Sequence, residues 1–165
     1  MSVLTTDILY YLTGGVGNTD PNLSLGGTTS STQVGSGLHN IFDYVSPTEA
    51  AAGDVEYRAI TVKNNNIADT LYDAKVYISL ETTSADSTIA LAYDSGGSQS
   101  VVDESTAPSA PALTFTSPTS YSTGIGLGDM APAATKRIWL RRTITAGAGI
   151  QANDNGSLTV SGATA

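Results

Sequence analysis

No cysteine occurs in this chain of 165 residues, so disulfides, Cys-zinc sites and thiol redox chemistry are excluded. Histidine and tryptophan occur once each, at His39 and Trp139. Basic residues are scarce too: seven Lys and Arg stand against fifteen carboxylates, a formal net charge of −8. None of the seven lies in residues 1–57 or 76–135; all fall at 58–75 or 136–142. Nucleic-acid binding needs a broad basic surface, so the chain is not expected to bind DNA or RNA. No apolar run reaches twenty residues, which excludes an ordinary transmembrane helix. The start, MSVLTTDILYYL, has an acidic residue where a signal peptide has basic ones. The expectation is a product made in the cytoplasm and not exported by the usual route, with no membrane partner.

Ser, Thr, Ala and Gly are plentiful instead, and such small side chains suit strands and turns. They bury little area each, and burial stabilises by about 25 cal/mol per Å². A thin core follows, and with it support from neighbouring subunits.

Catalytic constellations are not found. A Ser-His-Asp triad would have to use His39, and no G-x-S-x-G elbow presents a serine. Asp103 and Glu104 are adjacent, so on an extended segment they point to opposite faces and do not form a glycosidase pair. Gly14, Gly15 and Gly17 lack the Lys-Ser/Thr ending of a phosphate loop, and Gly124, Gly126 and Gly128 do not complete G-x-G-x-x-G. Asn153-Asp154-Asn155-Gly156 misses the first Asp and the last Glu of a calcium loop and reads as a polar turn. The chain is therefore expected not to be an enzyme, with no cofactor and no metal site.

Residues 1–52 read as an extended N-terminal arm and anchoring segment. The apolar patch Ile8 to Leu12 ends at Gly14-Gly15, and a Gly, Ser, Thr and Asn-rich passage runs to Gly37 without helical period. Leu38 to Val45 is a second patch able to anchor the arm, and Pro47 to Ala52 makes a helical turn. Residues 53–165 read as a β-sandwich domain. Ile60 and Val62 alternate with polar neighbours, and a bulge near Arg58 is predicted so that Tyr57 also faces inward. Ala74, Val76, Ile78 and Leu80 make a half-buried strand, and Ile89, Leu91 and Tyr93 another. Leu113 with Phe115, and Ile125 with Leu127, predict two more. Ile138, Leu140 and Ile144 mark a sixth, and Leu158 and Val160 a seventh after the hairpin dipeptide Asn155-Gly156. Short strands between turn signals define an all-β antiparallel sandwich, immunoglobulin-like or jelly-roll-like, with a tulip-shaped β-domain as the alternative.

Four of the seven basic residues crowd into KRIWLRR, at Lys136, Arg137, Arg141 and Arg142. On a strand, Arg137, Trp139 and Arg141 share one face, while Arg142 falls on the apolar parity with Ile138 and Leu140. An Arg-Trp-Arg row can stack and bind carboxylates in pairs, so it is the expected contact with an acidic patch on a neighbour. Arg142 is expected to be a paired charge near the core edge. On the arm, Leu9, Tyr10, Tyr11, Leu23 and Leu25 are expected to lie across a partner.

The phrases YRAITVKN (Tyr57 to Asn64), DESTAP (Asp103 to Pro108) and LGDMAPAATKRIWLRRTITAGAG (Leu127 to Gly149) resemble those of small virion proteins of tailed bacteriophages. In form they also resemble the immunoglobulin-like modules found on phage particles, over roughly residues 40–160. Such modules often carry Pro-Gly where this chain has Pro132-Ala133. The resemblance implies a structural role without catalytic residues. It implies a capsid decoration (cement) protein on the outer surface of the head, bound to the major capsid protein. A homo-oligomer is implied, the trimer favoured over the dimer, with arms reaching over neighbours. The alternative it implies is a tail or adhesion component that binds carbohydrate.

Overall fold

The computed structural model describes residues 2–164. Seven strands form two antiparallel sheets: β1 (Ile8–Tyr11), β2 (Asp54–Asn64), β3 (Leu71–Leu80), β4 (Ser87–Asp94), β5 (Ile125–Met130), β6 (Thr135–Ile144) and β7 (Ser157–Ala163). One sheet has the order β1-β2-β6-β4 and the other β5-β3-β7. The chain is thus an all-β sandwich. Its order differs from the ABED and CFG sheets of immunoglobulin domains, where the fifth strand, not the sixth, lies between the second and fourth.

Between the sheets sits an aliphatic core of Ile60, Val62, Leu91, Ile138 and Leu140 from one side and Leu71, Ala74, Val76, Ile78 and Val160 from the other. The period-2 pattern of β3 explains its single buried face. β2 behaves otherwise: from Arg58 to Val62 every residue is buried, so both of its faces are covered. The cover is the chain itself. Residues 12–33 and 95–116 lie over the outer face of the larger sheet, where Ala59, Ala92 and Trp139 pack with Tyr57, Val101, Leu113 and Phe115.

Residues 2–52 thus do not stand apart as an arm. β1 extends the larger sheet in register with β2, Ile8 opposite Asn64 and Tyr11 opposite Thr61. Leu12, Thr13, Ser24 and Ser30 are buried. Along β2 beyond β1, Ala59 N–H donates to Ser24 O (2.7 Å), and Ala59 O accepts from Ser24 Oγ (2.7 Å) and Thr13 Oγ1 (3.0 Å). A strand edge with unpaired backbone groups is costly when covered, and these loop residues satisfy it. The helical turn is present as α1 (Pro47–Ala52), with a Ser46/Glu49 capping box at its start and Gly53 at φ 78 at its end.

Three local expectations are corrected. β2 and β6 pair without interruption from Asp54 opposite Ile144 to Lys63 opposite Thr135, so there is no bulge at Arg58. Arg58 faces inward with Glu56 and Ile60, and Tyr57 turns outward to Phe115. Leu113 and Phe115 form no strand; they lie in the covering loop, which meets β4 at the isolated bridge between Leu91 and Thr116 and packs on Ala92. Asn155-Gly156 turns no hairpin, because β6 and β7 belong to different sheets.

Candidate interaction surface

The Arg-Trp-Arg row lies on the outer face of β6, as strand parity requires, yet that face is not at the surface. Trp139 is 0% exposed, between Ala59 on β2 and Ala92 on β4. Arg137 is 5% exposed; its Nη2 donates to Gly27 O (2.7 Å) and its Nε to Thr61 Oγ1 (3.2 Å). Burial pushes the Arg137 guanidinium below its ordinary range, with Asp94 on β4 opposing the shift. Arg141 stacks over Phe115 at 5.3 Å, and Phe115 meets Tyr57 edge-on at 5.5 Å. The row binds the chain's own loops, which corrects its expected role at a subunit contact.

The arm residues divide. Tyr10 is half-buried against the core, and its hydroxyl accepts the Val160 N–H of β7 at 3.1 Å, tying the two sheets; burial raises its pKa. Leu9 and Tyr11 are half-buried on β1. Leu25 is half-buried, and its carbonyl accepts from Val101 N–H (3.0 Å). Of the proposed contact residues only Leu23 is broadly exposed.

At the lower end of β2 and β6, three carboxylates and two guanidiniums converge. Arg142 pairs with Glu56 and with Asp43, donating to the Asp43 carbonyl at 2.7 Å. Arg58 pairs with Glu104. The Phe42 ring faces both guanidiniums, 4.9 Å from Arg142 and 5.7 Å from Arg58. Burial raises the Glu56 pKa above its ordinary 4.5, with Asp43 adding to the rise, against the pull of Arg142 and Arg58. Oxygens of Asp43, Glu56 and Glu104 lie within 4.8 Å of one another, a spacing that would suit a cation. The two arginines already supply the positive charge there, and the cluster is read as an ion-pair network. Arg142 is the paired charge near the core edge that its parity predicts.

Next to this network, lined by Asp43 and Arg142 as well as by both sheets, is a cleft of about 780 Å³. Ile60, Leu140 and Ile144 line it from one sheet and Ile78, Leu80 and Leu158 from the other, and the segment Val34–Val45 crosses its mouth. Four of the large apolar residues that line it are exposed: Leu38 (61%), Tyr44 (66%), Leu80 (53%) and Ile150 (105%). Large apolar side chains gathered around one opening mark an interaction surface. Sequence reasoning missed this site because its members come from five separate stretches, Tyr10, 34–50, Ile60, 78–91 and 140–158. The one legible signal was the apolar patch Leu38 to Val45 in a polar surrounding. His39, exposed with its ring edge-on to Tyr44 at 6.4 Å, sits on this rim.

No helix among the described residues is long and apolar enough to cross a membrane. In comparisons with known proteins, no family, no curated protein and no solved structure matches the chain.

Proposed function

We propose that this chain is a structural protein of a tailed-bacteriophage particle, a decoration (cement) protein. It binds the major capsid protein on the outer surface of the head and stabilises contacts between capsomers. The observation that carries a binding role is the cleft with its exposed apolar rim of Leu38, Tyr44, Leu80 and Ile150. Leaving that much apolar surface in water is unfavourable unless a neighbour covers it. The acidic balance of −8 keeps the chain off nucleic acid and suits a particle's exterior. The phrases at 57–64, 103–108 and 127–149 supply the phage assignment.

The test is localisation in purified particles by electron microscopy, together with removal of the protein from the phage. The expected result is stoichiometric density on the head surface and heads that lose their contents on mild heating when the protein is missing. Density on the tail, or carbohydrate binding by the isolated chain, would support the adhesion reading instead and overturn this one.

A further inference from the structure

Residues 8–34 are tied into the sandwich by backbone hydrogen bonds, α1 is tied to the chain after β6, and the stretch between the two is not. Val34 N–H donates to Tyr10 O at 2.9 Å, and α1 is tied at Ala50 O by Gly147 N–H (2.8 Å) and Ala148 N–H (3.0 Å). From Gly35 to Val45, no backbone–backbone hydrogen bond joins the chain to the rest of the described residues. That stretch is held by side chains alone: Arg142 on Asp43, Ile41 and Phe42 against the core. It also contains His39 in the left-handed region, at φ 58, in the turn that folds it back. Segments with few buried contacts and no backbone ladder open at low free energy.

We infer that residues 35–45 are a hinge through which residues 8–34 are exchanged between copies of this chain, each copy's β1 completing the larger sheet of its neighbour. The occupant follows from the fit. The docking site for residues 8–34 is made by Ala59 and Thr61 to Asn64 on β2, the Gln99–Val101 loop and the outer face of Trp139. Every copy carries that site, so a second copy's segment meets the same partners, and the closed and exchanged forms share those contacts.

Reach permits it: eleven extended residues span about 36–40 Å, against a radius of gyration of roughly 15 Å for a domain this long. Extension also frees His39 from its turn.

This inference rests on the homo-oligomer part of the proposed function but on no phage assignment. It is tested with two single-cysteine chains, Leu9→Cys and Lys63→Cys, co-refolded in equal amounts and then oxidised. Leu9 and Lys63 stand directly opposite in the β1–β2 register, a Cα separation of about 5.5 Å that a disulfide spans. The chain has no cysteine of its own to interfere. Expected is a reducible covalent link between one chain of each kind, at least tenfold above either variant oxidised alone. The reference is the Leu9→Cys/Lys63→Cys double variant, diluted to a monomer, which closes the bond within one chain. Light scattering on the unmodified protein reads the oligomer separately. An oligomer without the mixed link overturns the exchange and leaves oligomerisation standing; a monomer at all concentrations overturns both.

Discussion

Gly26 lies directly on the indole of Trp139. A Cβ built at Gly26 would fall 2.8 Å from the Trp139 ring, and the residue holds φ 89, a conformation that L side chains rarely adopt. The N-terminal segment therefore closes over the tryptophan through the one residue type that permits the approach. Gly26→Ala should cost about 2–4 kcal/mol by combining overpacking with a disfavoured backbone. Urea unfolding followed by the emission of Trp139, the only tryptophan, measures it. A variant as stable as the parent would mean that the segment does not pack on that ring.

Arg137 distinguishes an internal row from a surface one. Reversing its charge places a carboxylate at a buried position beside Asp94, whose oxygens already accept from Gly96, Gly97 and Gln99 N–H groups. Arg137→Glu is expected to destabilise the chain by at least about 3 kcal/mol, seen as a lowered melting temperature. If it melts with the wild type and changes assembly alone, the row is free at the surface after all.

The Arg142 network makes a paired prediction. Arg142→Ala strands Glu56, whose side chain is only 2% exposed, and should cost about 3–5 kcal/mol. Replacing both partners with apolar residues, Glu56→Leu with Arg142→Met, should recover most of that loss, since no buried charge then lacks a partner. Chemical denaturation of the three proteins reads the difference, and a double variant as unstable as Arg142→Ala would refute it.

Glu56 and Asp7 should give stability opposite dependences on pH. Burial makes the folded chain hold the Glu56 proton more tightly than the unfolded chain does. Its contribution is therefore full below the ordinary Glu value of 4.5 and is lost as pH rises through the higher folded value. Asp7 is the reverse: the Leu4 N–H and the Asn66 side chain hold its carboxyl below 3.8. Its contribution is present above 3.8 and is lost as pH falls through the folded value. Urea midpoints from pH 3 to pH 7 for Glu56→Gln and Asp7→Asn should shift relative to wild type in opposite senses; parallel curves would contradict both assignments.

Alternation in the sequence by itself determined the all-β sandwich, the positions of β3 to β7 apart from their ends, and the split of KRIWLRR between two faces. The helical turn Pro47 to Ala52, seen as α1, was legible in the same way. These are local properties, since side chains on a strand take opposite faces with period 2 and a cap needs only its own turn. What lies against each face is not local. Period 2 could not show that the outer face of β6 is roofed by residues 12–33 and 95–116, because a polar face over solvent and one under a loop read alike. The inward turn of Arg58 was hidden for the same reason: its neutralising partner, Glu104, is distant in sequence and only the fold brings it near. Tertiary structure alone decided that Arg137, Trp139 and Arg141 bind inward, and that the exposed Leu38, Tyr44, Leu80 and Ile150 gather around one cleft.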